Sequence, residues 1–211
     1  MYLFFDTETT GLPRNWNAPT ADTDNWPRLV QIAWQIYDGE GNKIGENNLI
    51  IKPDGFLIPA DAARVHGITQ ERANAEGVPI LVALETFAQA LTEVKHLVAH
   101  NMSFDEKIVG AEFLRNDMAD LVAPKQKICT MLSSVDFCAI PGNRGYKWPK
   151  LAELHQTLFG EGFAEAHNAA ADINATAKCF WALAARGVIT LEKQKTPGTE
   201  ERKTGEQLGL F

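Results

Sequence analysis

The sequence predicts an α/β fold on a mixed sheet, antiparallel in its first strands and parallel afterwards, flanked by helices. Two observations predict it. Extended apolar segments open the chain, and two of them are joined by a short Gly-rich turn, which makes an antiparallel hairpin. Helical periodicity then alternates with a short strand pattern.

Residues 1–5 are an apolar run that ends at Asp6. Leu-Val-Gln-Ile-Ala-Trp-Gln-Ile-Tyr over 29–37 reads as a second strand, 38–42 as a turn and 43–52 as a third strand. Over 81–94, Leu84, Phe87, Ala88 and Leu91 fall on one face of a helix. Residues 96–100 form a short strand. A helix follows over 103–115, with Ser103 and Glu106 at capping-box spacing. Two more helices cover 148–159 and 168–186, the first stopped by Gly160 and the second followed by Gly187. Residues 13–28, rich in Pro, Asn, Asp and Thr and holding Trp16 and Trp26, form a long loop between the first two strands. Loops of that length in a compact domain are functional or mobile. Residues 192–206 carry charge, Gly and Pro with almost no large apolar residue, which predicts a flexible tail. The organisation is therefore one domain over 1–190 and a tail over 191–211, with no internal repeat.

Composition excludes several classes. Of 211 residues, 45% are hydrophobic and 22% charged, the balance of a globular chain long enough to bury a core. No apolar run approaches the ~20 residues that span a bilayer, and the start shows no secretory signal. Three cysteines (Cys129, Cys138, Cys179) have no metal spacing and suit a reducing compartment, so the expected location is cytoplasmic, without a membrane partner. The net charge of −7 argues against a long duplex held by phosphate neutralisation, but not against binding a few nucleotides.

Three acidic signals carry the chemistry. Asp6 and Glu8 are two apart at the end of a strand, so both carboxylates face one side. They are either solvated acids or, since adjacent carboxylates repel, a site for a hard divalent cation. Asp105, in His-Asn-Met-Ser-Phe-Asp, falls in a first helical turn, where the helix dipole favours a carboxylate. His167 and Asp172 are five apart. With Asn168 as the N-cap, the histidine lies on a loop and the aspartate inside the helix.

Taken together, this set resembles the DEDD superfamily of 3′→5′ exonucleases, in its DEDDh branch. Asp6 and Glu8 match Asp-x-Glu, Asp105 matches the central Asp of the second motif, and His167 with Asp172 matches His-x4-Asp. Val65-His66-Gly67-Ile68 is similar to an element of bacterial DNA polymerase III proofreading subunits, and the likeness covers residues 2–186. The resemblance implies an RNase H-like fold and two divalent cations, Mg²⁺ or Mn²⁺, held by Asp6, Glu8, Asp105 and Asp172. It implies two-metal in-line displacement, with ions ~3.5–4 Å apart, one activating a water and the other stabilising the leaving oxygen. His167 is then the general base, its near-neutral pKa suited to the task. The implied substrate contacts are Thr9, Thr10, Gly11, Asp61, His66, Asn101 and Phe104. His66 reads as well as a plain turn residue, and Phe104 either stacks on a base or packs inward.

Trp16 or Trp26 either caps a terminal base or is buried in a folded-back loop, which the reading favours. His96, His155, Trp34, Trp148 and Trp181 read as structural, and the cysteines as core packing. The last residues, Gln207-Leu208-Gly209-Leu210-Phe211, resemble the bacterial sliding-clamp-binding pentapeptide. In that reading Leu208, Leu210 and Phe211 fill apolar pockets and Gln207 makes a directional hydrogen bond. The expected function is a metal-dependent exonuclease releasing nucleoside 5′-monophosphates from single-stranded or frayed DNA 3′ ends, with a sliding clamp or polymerase as partner. The alternatives are an exoribonuclease, a non-catalytic clamp-tethered DNA-binding module, and a different phosphoesterase on the same fold.

Overall fold

The computed structural model describes residues 1–163 and 169–191. Its centre is a five-stranded sheet in the order β3-β2-β1-β4-β5, from β1 (Tyr2–Thr9), β2 (Leu29–Tyr37), β3 (Lys43–Ile50), β4 (His96–Ala99) and β5 (Gln126–Cys129). β1–β2 and β2–β3 pair antiparallel; β1–β4 and β4–β5 pair parallel. This is the mixed sheet the sequence predicts. The helices are α1 (Ala60–His66), α2 (Gln70–Glu76), α3 (Ile80–Thr92), α4 (Met102–Arg115), α5 (Thr130–Ser133), α6 (Val135–Cys138), α7 (Leu151–Phe159) and α8 (Ala169–Ala185). A small hairpin, β6 (Pro141–Gly142) with β7 (Gly145–Tyr146), precedes α7.

β1 positions the site by alternation. Leu3 and Phe5 point into the layer that includes Phe87 of α3 and Ile108 and Phe113 of α4. Tyr2 and Phe4 point into the opposite layer, against Ile173, Phe180 and Leu183 of α8. Phe4, Phe5, Phe87, Phe113 and Phe180 are all fully buried, each stabilising the fold by roughly 1.5–3 kcal/mol. Continuing that parity, Asp6 and Glu8 face the α8 side and Thr7 the α4 side.

Several elements differ from expectation. α1 and α2, seven residues each, and β5, with its polar Gln126 and Lys127, are too short or too polar to show periodicity. The capping box at Ser103 does not form. α4 starts one residue earlier, after Asn101 in the left-handed conformation (φ 75°), and the Ser103 hydroxyl turns back to Asn101 Oδ1 at 3.3 Å. The helix expected from residue 148 starts at Leu151, because Pro149 disfavours helical backbone at Trp148. Lys150 N–H is instead capped by the Glu153 carboxylate at 2.8 Å.

The 13–28 loop is pinned to α4. Lys107 Nζ donates to the carbonyls of Trp16 and Ala18, both at 3.2 Å, and lies 4.9 Å from the Trp26 ring. Arg115 donates to the carbonyls of Thr23 and Trp26. Trp26 is buried, but Trp16 is half exposed, so the expectation of two buried tryptophans holds for one. No helix among the described residues is long and apolar enough to cross a membrane. The tail from 192, including Gln207, Leu208, Leu210 and Phe211, lies outside the described residues.

Candidate active site

Three carboxylates meet at the C-terminal end of β1. Asp6 and Glu8 project from one face of the strand, and Asp172 comes from the first turn of α8. One oxygen from each lies within 4.8 Å of the others. Asp105, in the first turn of α4, arrives from the other face, is 3% exposed, and is held by Thr7: N–H at 3.1 Å and hydroxyl at 2.7 Å, both to Oδ1.

The four groups share one field. Burial, then the charges of Asp105, Glu8 and Asp172, hold Asp6 well above the usual carboxylate range. Burial, then Asp172 and Asp105, pushes Glu8 up to about 8. Burial raises Asp105 to about 7, against the two Thr7 hydrogen bonds, which favour its charged form. An all-oxygen cluster in which Asp6, Glu8 and Asp105 resist ionisation together suits a hard divalent cation, which removes the repulsion and satisfies the lone pairs. These residues fit such an ion.

The cluster opens into a cleft of about 670 Å³ that Asp6 and Asp172 share with Leu12, Trp16, Asn101, Phe104 and Trp148. Phe104 packs against the core, as one of its two expected roles has it, and its residue also lines the cleft, its ring 5.7 Å from the Trp16 ring. The Thr9 hydroxyl donates to Gly11 O at 2.7 Å, and the Thr10 hydroxyl accepts from Arg28 N–H at 3.0 Å, so both hold the turn that leaves β1. Thr10 and Gly11 line a neighbouring groove with Arg14, Arg28 and Arg115. His66, the last residue of α1, is buried; its Nδ1 accepts from Ile68 N–H at 3.1 Å, and burial holds its pKa below the ordinary value. Asp61 is exposed, accepts from Ala62 N–H at 3.0 Å, and does not line the cleft. His167 and Asn168 lie outside the described residues.

Two residues of the cleft differ from the sequence reading, one given another role and one given none. Trp148, expected to be structural, is instead 65% exposed on the cleft wall; the proline after it, which disfavours helical backbone at Trp148, was the available signal. Trp34 and Trp181 do pack with core aromatics, and His96 stacks on Tyr2 at 4.8 Å. His100, first residue of the second motif, bonds Pro149 O through Nε2 and Thr130 Oγ1 through Nδ1, each at 3.0 Å. Burial drops its pKa to about 4, so it is a neutral strut carrying the Trp148 wall.

Comparison with known proteins agrees with this geometry. Residues 3–180 match the family RNase_T, described as exonuclease. An uncharacterized exonuclease of Escherichia phage 186 is 29% identical over 192 residues, covering 88% of this chain and 89% of its own. A PolC-type DNA polymerase III of Streptococcus pneumoniae is 32% identical over 124 residues, 58% of this chain but 8% of the polymerase. Among solved structures, the E. coli exonuclease I–single-stranded DNA complex superimposes with a TM-score of 0.70 at 23% identity, over 88% of this chain and 40% of that one. The fold is thus that of exonuclease I, RNase H-like, in a chain that spans under half of that enzyme.

Proposed function

From the premise that this chain belongs to the RNase_T exonuclease family, we propose that it hydrolyses single-stranded or frayed DNA from the 3′ end, releasing nucleoside 5′-monophosphates in replication proofreading or repair. The observation that carries this reading is the convergence of Asp6, Glu8 and Asp172 within 4.8 Å beside the Thr7-held Asp105.

Asp6, Glu8, Asp105 and Asp172 would hold two divalent ions, Mg²⁺ or Mn²⁺, which when bound supply charge neutralisation for an in-line displacement at phosphorus. The chain's own groups do the rest. His167, five residues before Asp172, takes the proton of the attacking water as the new P–O bond forms and the P–O3′ bond breaks, and the departing O3′, which stays on the shortened strand, takes a proton from solvent. Phe104 and Trp16 offer ring faces to the terminal bases, and any base can use them. Asn101 offers a side-chain amide at the cleft wall. The buried Thr7 orients Asp105 through its N–H and hydroxyl, and these bonds favour the charged form of the carboxyl against its burial.

The same reading extends to a partner. The 207–211 segment is proposed to dock on a sliding clamp, and titration of the clamp with the tail peptide tests it; no binding ends that proposal. For the chemistry, 5′-labelled single-stranded DNA and matched RNA are incubated with Mg²⁺, Mn²⁺ or EDTA beside His167→Ala and Asp6→Ala. A metal-dependent ladder shortening from the DNA 3′ end, lost in both variants, is expected. Preferential cleavage of RNA overturns the substrate assignment, and intact strands of both kinds overturn the activity.

A further inference from the structure

The wall that carries Trp148 continues beyond the cleft. Residues 137–152 hold three cations, Arg144, Lys147 and Lys150, and no acid, in a chain of net charge −7. The hairpin β6–β7 turns this stretch back on itself, with residues 141–146 exposed. Its Cα partners are Pro141 with Tyr146 and Gly142 with Gly145, so Asn143 and Arg144 form the tip. Gly145 takes φ 101°, which favours glycine, and a Cβ on Gly142 would sit tightly, 3.1 Å from Gly145 O. Tyr146 is 54% exposed, and Arg144 and Lys150 are exposed. A concavity of about 450 Å³ runs along residues 142–148 and shares Trp148 with the carboxylate cleft.

Both flanks of this hairpin are fixed. His100 binds Pro149 O, Lys147 N–H binds Ile140 O at 2.9 Å, and Lys147 Nζ pairs with Glu153 at 2.5 Å. Two exposed rings at Tyr146 and Trp148, interleaved with cations, on a rigid base continuous with the cleft, are what a single strand needs: stacking faces and phosphate partners without base-edge readout.

We propose that this hairpin is a strand guide: Arg144 and Lys150 hold phosphates, and Tyr146 stacks on a base, of the single-stranded DNA lying 5′ of the nucleotide being removed. This rests on the reading of the cleft as a single-strand exonuclease site. A guide acts only on strands long enough to reach it, so its signature is length dependence.

Wild type, Arg144→Ala/Tyr146→Ala and Arg144→Glu are compared on a 5′-labelled DNA dinucleotide and 15-mer in Mg²⁺, with anisotropy binding of DNA and RNA 15-mers in Ca²⁺. The double variant is expected to raise KM for the DNA 15-mer about tenfold and to leave dinucleotide kcat/KM within twofold. The log–log salt slope of binding should become shallower by about 0.7 for one lost phosphate contact. Arg144→Glu should weaken 15-mer binding further at unchanged melting temperature. Equal loss on dinucleotide and 15-mer, or no change on either, overturns the guide while the nuclease stands. A wild type that leaves DNA intact overturns the site reading itself, and tighter wild-type binding of RNA overturns the DNA assignment.

Discussion

Thr7 gives both its backbone N–H and its hydroxyl to one oxygen of Asp105, at 3.1 and 2.7 Å, across 98 residues of chain. Strand parity makes this contact. Thr7 faces α4 while its neighbours Asp6 and Glu8 face α8, so one turn of alternation lets a single strand address carboxylates on both of its sides. Two donors on one buried oxygen favour the ionised form of Asp105, the form that can bind a cation. Thr7→Val keeps the shape and the backbone donor and deletes the hydroxyl. Groups that orient metal-binding carboxylates carry about 10–100-fold in affinity, so the Mg²⁺ concentration giving half-maximal activity should rise by that factor. An unchanged Mg²⁺ midpoint would show that the hydroxyl only packs.

Asp6 is held from ionising by burial and by three neighbouring carboxylates. Asp6→Asn removes that charge at nearly constant volume. In EDTA it should therefore stabilise the protein, by about 1–2 kcal/mol, while activity with Mg²⁺ falls by at least ~10³. Thermal melts in EDTA beside the nuclease assay check both halves. A destabilised Asp6→Asn would mean that the carboxylate makes favourable contacts that outweigh the repulsion.

The same cluster sets a pH dependence. Glu8 and Asp105 have folded pKa values of about 8 and about 7, above their ordinary 4.5 and 3.8. Between those limits the unfolded chain binds fewer protons than the folded one, so stability in EDTA is greatest at the acid end of the window and is lost as pH rises to 8. Divalent ions displace these protons. The melting-temperature gain from Mg²⁺ should then be larger at pH 8 than at pH 5.5, which a melt series in both media measures. A gain independent of pH would place the ion away from these groups.

A buried ion triad anchors the long loop. Glu112, fully buried, accepts from Arg28 Nε at 2.9 Å, Arg115 Nη1 at 2.7 Å and Leu29 N–H at 3.0 Å. Arg115 in turn holds the carbonyls of Thr23 and Trp26. Glu112→Gln leaves two guanidiniums short of a counter-charge, a cost of about 3–5 kcal/mol. The melting temperature should drop by about 10 °C, and amide exchange over 13–28 should quicken before the rest of the domain. Uniform exchange across the domain would show that the triad does not act on the loop.

What could be read from the sequence was what depends on local spacing. Alternation is a property of β1 alone, so the shared face of Asp6 and Glu8 needed no tertiary information. The motif around Asp105 likewise pointed to a first helical turn. The rest depends on distant partners. Thr7 looks like a spacer until α4 is placed beside it. Trp34 and Trp148 look alike in sequence, and only the Pro149 break separates a core ring from one on the cleft wall. The capping box at Ser103 failed because Asn101 takes a left-handed turn and starts α4 earlier, a backbone choice that residue spacing does not encode.

His100 belongs to that second group, and its partner lies 49 residues away. Pro149 O can only accept, so Nε2 carries a proton, while Nδ1 lies 3.0 Å from the buried Thr130 hydroxyl, which also reaches Ala99 O at 3.4 Å. Burial lowers its pKa to about 4, from an ordinary 6.5. In that window the unfolded chain binds the extra proton, so stability is full above pH 6.5 and falls by roughly 3 kcal/mol as pH drops towards 4. This slope is opposite in sign to that of the carboxylates, and the two separate by substitution. His100→Gln cannot titrate, so it should flatten the acid limb of the melting curve and leave the alkaline limb in EDTA unchanged. With one strut bond weakened, Trp148 loses its fixed position, and KM for single-stranded DNA should rise several-fold at pH 7.5 with kcat little altered. A His100→Gln protein that keeps both the acid limb and the wild-type KM would assign the low-pH transition to another group and leave the Trp148 wall standing on its own packing.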